Sequence, residues 1–184
     1  MISAVRLASA VLAGSVLLAQ APSMPDRKRL PRFEDFRVPT PIPKRNNNAW
    51  IATPRFMSRA EKDEIANHTN RIRDATREGP DFAGHYAIVR WGCGSDCLNF
   101  VIVDVGTGEI YDTPFVGASG CPYYLDKLLS YRLDSRLLIV TGSLEIPQRD
   151  HTFRDGPCEK SYFEWRGNTL KFLRSIPLRF PENR

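Results

Sequence analysis

The residues best suited to chemistry lie between positions 85 and 104, in the stretch HYAIVRWGCGSDCLNFVIVD. Its histidine, cysteines and aspartates are side chains that proteins use as metal ligands, thiol nucleophiles and general bases. Three arrangements fit these residue types: a metal site on Cys93 and Cys97, a reactive thiol beside His85, or a disulfide across a turn. Ligand spacing and the compartment of the protein discriminate among them.

The spacing argues against a metal or redox site. Structural zinc sites usually join two pairs of Cys or His ligands, and Cys93-x3-Cys97 supplies only one pair. His85 and His151 lie far apart, and the sequence offers no second pair. A thioredoxin-type redox pair needs C-x-x-C at the start of a helix, whereas this spacing is longer and its flanks have strand character. We therefore expect no metal and no cofactor.

The first residues indicate export. Segment 1–21 has one basic residue, Arg6, then an uncharged apolar run from Leu7 to Ala19 and a further small residue at Ala21. This is the layout of a secretory signal peptide, and its apolar core is shorter than the roughly 20 residues that span a bilayer. We expect a periplasmic or secreted protein with no stable membrane insertion after signal cleavage; the alternative is an uncleaved N-terminal anchor.

Export changes the interpretation of the four cysteines, all of which follow the predicted signal. An even number of cysteines in an oxidising compartment favours disulfides. In a hairpin around GCGSDC, Cys93 and Cys97 would lie nearly opposite each other with Cα atoms about 4.5–5.5 Å apart, a separation that a disulfide tolerates. Gly92 and Gly94 would permit the unusual backbone angles of the tight loop. We predict Cys93–Cys97 and Cys121–Cys158 disulfides, and the other connectivities stay open.

Catalytic interpretations are the alternatives. One is a hydrolase that uses His85 with Asp96 or with a free cysteine. His85 shares a predicted strand face with apolar residues, however, and this favours a buried, hydrogen-bonded histidine. Several carboxylates also suggest a two-acid glycosidase, although most lie at predicted strand ends and turns. These carboxylates are Asp96, Asp104, Glu109 and Asp112.

Alternation of β-branched and aromatic residues predicts the elements that position these side chains. Strand pairs flank GCGSDC, Asp134-Ser135 and Gly167-Asn168, and the last is a strong two-residue hairpin signal. A helix is predicted over about 58–78, with a capping box at SRAE (58–61), a break near Asn67 and an end at Gly79-Pro80. Several strands are apolar on both faces, so we expect the helix and the curled strands to cover both sides of the sheet.

These elements define a mainly β (α+β) fold class. We predict an antiparallel β-meander of about seven strands with one N-terminal helix, stapled by disulfides. Residues 22–45 contain six prolines, which predicts an extended and largely unpacked linker. Residues 46–184 are predicted to form a single β-rich domain, since their length is sufficient for one core.

The net charge of +5 is unevenly distributed. Residues 22–45 carry seven basic and three acidic residues, which makes the predicted linker basic. Residues 46–184 carry eighteen residues of each sign. Because a domain built to bind nucleic acid usually has a basic excess, we expect no nucleic acid partner.

Residues 82–104 (FAGHYAIVRWGCGSDCLNFVIVD), with the later TGEIYDTPF and SYFEWRGNTLKFL, resemble a family of small exported bacterial proteins of unknown function. Its members share an F-A-G-H-Y segment, a W-G-C-G-x-x-C loop and a closing aromatic-rich E-W hairpin. The resemblance covers roughly residues 56–176 of this chain. The resemblance implies that the chain is related to this family, but it implies no particular activity.

The sequence is therefore interpreted as an exported binding domain rather than an enzyme. Its partner is expected to be an unidentified protein or a cell-envelope ligand, and analogy with other small exported β-proteins suggests an inhibitor or immunity-type role. The predicted recognition surface is the loop 91–97 with two residues beneath it. Its members are His85, Tyr86, Trp91, Cys93, Gly94 and Asp96.

Overall fold

The structure is a computed structural model that describes residues 29–39, 65–121, 128–148 and 152–179. These ranges contain a single-turn 3-10 helix at Phe33–Phe36, the α-helix α1 (Thr69–Glu78) with three helical residues, 65–67, shortly before it, and nine strands. The strands are β1 (Tyr86–Gly94), β2 (Cys97–Asp104), β3 (Ile110–Tyr111), β4 (Gly117–Ser119), β5 (Leu129–Ser130), β6 (Leu137–Pro147), β7 (Phe153–Asp155), β8 (Glu159–Trp165) and β9 (Leu170–Pro177).

The strands form one antiparallel sheet in the order β1-β2-β4-β6-β8-β9. The short strand β3 pairs with β2, while β5 and β7 pair with β6. The predicted mainly β, antiparallel fold class with disulfides is confirmed. The strand number is higher than predicted because β4 and β7, which have no predicted counterpart, are only three residues long, too short to leave an alternating pattern in the sequence.

Two predicted hairpins form as the turn signals indicate. In the first, β1 and β2 pair from Tyr86↔Asp104 to Gly94↔Cys97. In the second, β8 and β9 meet at a two-residue turn in which Gly167 and Asn168 have φ values of 61° and 59°. Positive φ at both central residues is the conformation that suits the twist of a tight hairpin, and Gly and Asn adopt it most readily.

The two faces of the β1–β2 hairpin pack into different layers, as predicted. Ile88 and Phe100 belong to a core that includes side chains of β6 and β8. Val89 and Val101 face the other way, into a smaller core with Ile72 of α1. Each fully buried side chain of this kind contributes about 1.5–3 kcal/mol, so the helix is retained by its apolar stripe.

The helix agrees with the sequence where the structure describes it. Residues 65–67 are helical, His68 is a turn, and α1 then runs from Thr69 to Glu78, which confirms the break near Asn67. The end at Gly79 is also confirmed: its φ is 95°, and its N–H donates to the Ala75 carbonyl at 3.2 Å. The predicted capping box at 58–61 lies outside the described residues.

Residues 29–39, which we call the strap, differ from the predicted unpacked linker. The strap lies against the segment before β6: Arg136 N–H donates to the Phe36 carbonyl at 2.9 Å, and Val38 N–H donates to the Asp134 carbonyl at 3.0 Å. The buried Ser135 hydroxyl donates to the Phe33 carbonyl at 2.8 Å. Since the residues between Pro31 and Pro39 keep their amide donors, the prolines do not prevent this docking.

Gly142 marks the place where β6 changes its partners. Up to this residue β6 pairs with β8, and from Ser143 onward it pairs with β4. A Cβ atom at position 142 would lie 2.3 Å from the Ser119 carbonyl oxygen, and the φ of 156° is itself unfavourable for other residues. The close approach of β4 to β6 therefore depends on a glycine here.

Candidate functional site

A cleft of about 320 Å³ lies at the end of the sheet where β1 begins and β8 ends. The strap, the turn before β1, the start of β6 and the β8–β9 turn contribute its walls. This volume is at the lower end of the about 300–1,000 Å³ that is typical of small-molecule sites. The lining side chains that could recognise a ligand are His85, Tyr86, Arg136, Trp165, Arg166 and Asn168.

The F-A-G-H-Y segment forms one wall by folding into a tight turn. Phe82 and Tyr86 exchange two backbone hydrogen bonds of 2.9 Å across it. Ala83 and Gly84 between them have φ values of 46° and 90°, a left-handed conformation that favours glycine. Gly84 N–H also donates to the Leu133 carbonyl at 2.7 Å, which ties the turn to the segment before β6.

An aromatic cluster fixes the back of the cleft. The Tyr86 ring lies 5.1 Å from Trp165 and 6.1 Å from Tyr111, both edge to face. The Tyr86 hydroxyl donates to Asn168 Oδ1 at 3.0 Å, and burial raises the pKa of this tyrosine. Such a set of interlocked rings gives the cleft a largely pre-formed wall.

Two arginines flank a shielded carboxylate at the same place. Glu164, whose side chain is only 12% exposed, has Oε1 3.3 Å from Arg136 Nη2 and Oε2 4.0 Å from Arg166 Nη1. The arginine side chains are 42% and 67% exposed. The guanidinium groups therefore line the cleft, while the carboxylate that holds them is not among its lining residues.

His85 is the remaining ionisable side chain of the cleft. Its Nε2 lies 3.6 Å from Asp104 Oδ2, too long for a hydrogen bond but within ion-pair distance. Asp104 is held in place because its Oδ1 accepts the N–H groups of Gly106 and Thr107 at 2.8 and 3.1 Å. The prediction of a buried histidine is wrong: the side chain is 37% exposed, because β1 begins one residue later and His85 lies in the turn.

The structure separates the predicted recognition surface into two parts. His85 and Tyr86 line the cleft, whereas Cys93, Gly94 and Asp96 lie at the far tip of the β1–β2 hairpin. The nine residues of β1 span about 26 Å at roughly 3.3 Å per residue. His85 and Asp96 therefore lie too far apart to act as a catalytic pair.

Trp91 belongs to neither part of that surface. Its side chain is 6% exposed and stacks on His68 with ring centroids 4.4 Å apart. Because it points to the α1 side of the sheet, it contributes to the smaller core.

The hairpin tip is a covalently closed turn. Cys93 and Cys97 form a disulfide with Cα atoms 5.1 Å apart, as predicted. Gly94 has the expected unusual backbone angle, with φ of 149°, but the second such residue is Asp96, with φ of 57°, rather than Gly92. Aspartate tolerates this left-handed conformation better than most residues do. Asp96 also accepts the Gly120 N–H on its carbonyl at 2.6 Å, so it has a structural role in the turn.

The second predicted disulfide, Cys121–Cys158, is also present, with Cα atoms 6.0 Å apart. All four cysteines of the chain are thus paired, which removes the free thiol that a cysteine hydrolase would need. In the described ranges no group of three His, Cys, Asp or Glu side chains could hold a metal ion. No helix in those same ranges is long and apolar enough to cross a membrane.

Of the six lining side chains that could recognise a ligand, four were not predicted from the sequence: Arg136, Trp165, Arg166 and Asn168. The Gly167-Asn168 turn signal located one of them but gave no reason to join it to His85. The two arginines carry no local signal, because charged residues at strand ends are common for solubility alone. Only the antiparallel path of the sheet brings these positions together.

Comparisons of this chain with protein-family models, with curated proteins and with solved structures found no match. The residues of the cleft are therefore the basis on which a function can be proposed.

Proposed function

We propose that this chain is an exported, disulfide-stabilised binding domain whose ligand occupies the cleft beside His85. The observation that carries the proposal is the cleft itself: an aromatic wall, two guanidinium groups and a histidine converge on about 320 Å³. A concave site with apolar walls and a few convergent polar groups is the usual form of a small-ligand site.

The two disulfides support the proposed location in the periplasm or outside the cell, because such bonds persist in oxidising compartments. The signal-like segment 1–21 supports it as well. We retain kinship with the exported F-A-G-H-Y family as part of the proposal, since the segment that carries the resemblance builds one wall of the cleft.

The size of the cleft favours a small molecule or the terminal group of a cell-envelope polymer over a folded protein. The inhibitor or immunity-type role would instead need a protruding surface, and the disulfide-closed tip at 93–97 is the described feature that offers one. Binding to the cleft and binding to the tip make different experimental predictions.

A two-dimensional NMR screen with small neutral, cationic and anionic compounds tests the proposal. We expect the backbone amides of His85, Tyr86 and Asn168 to shift and those of the tip to stay in place. His85→Ala should weaken the binding, and Asp96→Asn at the tip is the matched control. Shifts confined to residues 93–97, or no shift with any compound, would refute the cleft as the ligand site.

A hydrolase that uses His85 is the second candidate, and the 3.6 Å approach of its Nε2 to Asp104 favours it. A carboxylate in this position can orient an imidazole that activates a water molecule. Hydrolysis of a panel of nitrophenyl esters and glycosides should then disappear in both His85→Ala and Asp104→Asn. Activity that survives these substitutions would exclude the role.

A further inference from the structure

We infer that the cleft recognises a small organic anion, held by Arg136 and Arg166; this inference rests on the proposed function and names its ligand class. The described residues that line the cleft include Arg136, Arg166 and His85, and none of these described residues is an aspartate or a glutamate. The described part of the lining therefore offers a ligand charged groups of one sign only.

The arginines retain donors for a ligand. Each guanidinium carries five N–H donors in a planar fork, which suits a carboxylate or phosphate. Glu164 approaches one terminal nitrogen of each, and its distance of 4.0 Å from Arg166 is beyond hydrogen-bond range. The carboxylate thus positions the two groups without saturating them.

The position of Glu164 also explains why a cationic ligand is disfavoured. Its side chain is 12% exposed and is not among the residues that line the cleft, whereas Arg136 and Arg166 are, so a ligand meets the arginines first. Asp104 is similarly shielded: its side chain is 15% exposed, and it lies 3.6 Å from the lining residue His85 without itself lining the cleft. Both carboxylates reduce the net positive charge around the cleft, but neither is exposed enough to bind a cationic ligand directly.

The remaining walls require an apolar part in the ligand. Tyr86 and Trp165 provide one side, and the strap residues Val38 and Pro39 provide another. A ligand that matches both features carries an oxyanion at one end and a small, flat apolar group at the other. The balanced charge of residues 46–184 argues against an extended polyanion, which would need more cationic contacts than this site offers.

Titration calorimetry with a matched set of probes tests the ligand class. Benzoate and phenyl phosphate carry the anion on the same ring, while benzamide is the neutral analogue and inorganic phosphate lacks the ring. We expect binding of benzoate or phenyl phosphate, with the stronger of the two identifying a carboxylate or a phosphate ligand. Benzamide and inorganic phosphate should bind at least about tenfold more weakly, because each lacks one of the two recognition elements.

Variants assign the effect to the arginines. Arg136→Gln should weaken binding of the anionic probe by about tenfold, since it removes a charge-assisted hydrogen bond. Arg166→Gln should weaken it by about threefold, because this side chain is more exposed and more strongly screened. Arg154→Gln, on an exposed position of β7, is the matched control and should leave the affinity unchanged.

The possible outcomes separate the inference from the proposed function. Equal binding of benzamide and benzoate at the cleft would overturn the anion inference and leave cleft binding intact. Unchanged affinity in Arg166→Gln would overturn it too, and this two-thirds exposed position can be tested even where Arg136→Gln fails to fold. If neither anionic probe binds, the inference is wrong, and the NMR screen with neutral and cationic compounds decides the proposed function separately.

Discussion

The two ends of the sheet are stabilised by different means. At one end, Cys93–Cys97 closes the hairpin tip, and Cys121–Cys158 joins the segment after β4 to the start of β8. At the opposite end lies the cleft, where the described contacts of the lining residues are non-covalent. Covalent bonds thus constrain the end without a cleft, while packed rings, ion pairs and backbone hydrogen bonds shape the end that has one.

This difference indicates which end can adapt to a ligand. A hydrogen bond contributes only about 0.5–1.5 kcal/mol and an exposed ion pair about 0–1 kcal/mol, so individual segments around the cleft can open at moderate cost while the sheet stays folded. The strap is the clearest case, because its described contacts to the sheet comprise hydrogen bonds, an ion pair between Glu34 and Arg132, and the stacking of Arg132 over Phe33. The cross-linked end provides a fixed frame for these movements.

The largest expected effect comes from removing the long-range disulfide. Substitution of both Cys121 and Cys158 by Ala should lower the free energy of unfolding by about 4 kcal/mol, because a bond that closes a long loop removes much entropy from the unfolded chain. The same change at Cys93 and Cys97 should cost only about 2 kcal/mol. Urea unfolding without reductant measures both.

The NMR spectrum of each double variant provides the control for this comparison. The amides of His85, Tyr86 and Asn168 should keep their positions when the Cys93–Cys97 bond is absent, since the tip lies at the far end of β1. Displacement of those amides would show that the two ends are coupled, which contradicts the division described above.

An intermediate effect is expected from Ser135→Ala, which acts at the cleft end. The Ser135 hydroxyl is fully buried, donates to the Phe33 carbonyl and accepts the Leu137 N–H at 3.2 Å. Its loss should lower the free energy of unfolding by about 1–3 kcal/mol because it leaves buried polar groups without partners. Hydrogen exchange should rise first at Val38 and Arg136, whose amide N–H groups bond across the strap contact. Uniform exchange across the whole sheet would mean that the strap is not a separate unit.

The smallest effect is a pH dependence that also belongs to the cleft end. Burial, reinforced by the negative charge of Asp81, raises the pKa of Tyr131 to about 12. Because an unfolded tyrosine ionises near pH 10, the unfolded state loses its proton first, and stability should fall as the pH rises from about 10 to about 12. Tyr131→Phe should reduce this slope, while Tyr86 and Tyr162, whose pKa values are also raised by burial, maintain part of it. If the free energy of unfolding of Tyr131→Phe fell with pH as steeply as that of the unchanged protein, the assignment of this effect to Tyr131 would be contradicted.

Apart from the Cys121–Cys158 disulfide, which the even number of cysteines indicated, the features that the sequence predicted well are local ones. The β1–β2 hairpin, its two faces and the Cys93–Cys97 bond follow from alternation and spacing within twenty residues. The cleft depends on contacts of long range: the hydroxyl of Tyr86 meets Asn168, 82 residues away, and the Ser135 hydroxyl meets the Phe33 carbonyl, 102 residues away. No local pattern encodes such pairs.

The predicted recognition surface failed for the converse reason: residues that are close in sequence lie far apart in the fold. His85 and Asp96 are close in sequence, which suggested one site, but an extended strand separates neighbours in sequence faster than any other element. The strap was missed for a related reason. Its prolines suggested an unpacked chain, whereas the amides between them remain free to pair with the segment before β6.

Gly142 limits which residues the sheet can accept at the point where β6 changes partners. Position 142 must stay without a side chain wherever the same strand switches partners, because any Cβ there would collide with the Ser119 carbonyl oxygen. A sequence that shares the F-A-G-H-Y and W-G-C-G-x-x-C segments but has a larger residue at the equivalent of Gly142 would have to join its sheet differently. The joining of β4 to β6 therefore depends on a single position that lies outside the lining of the cleft.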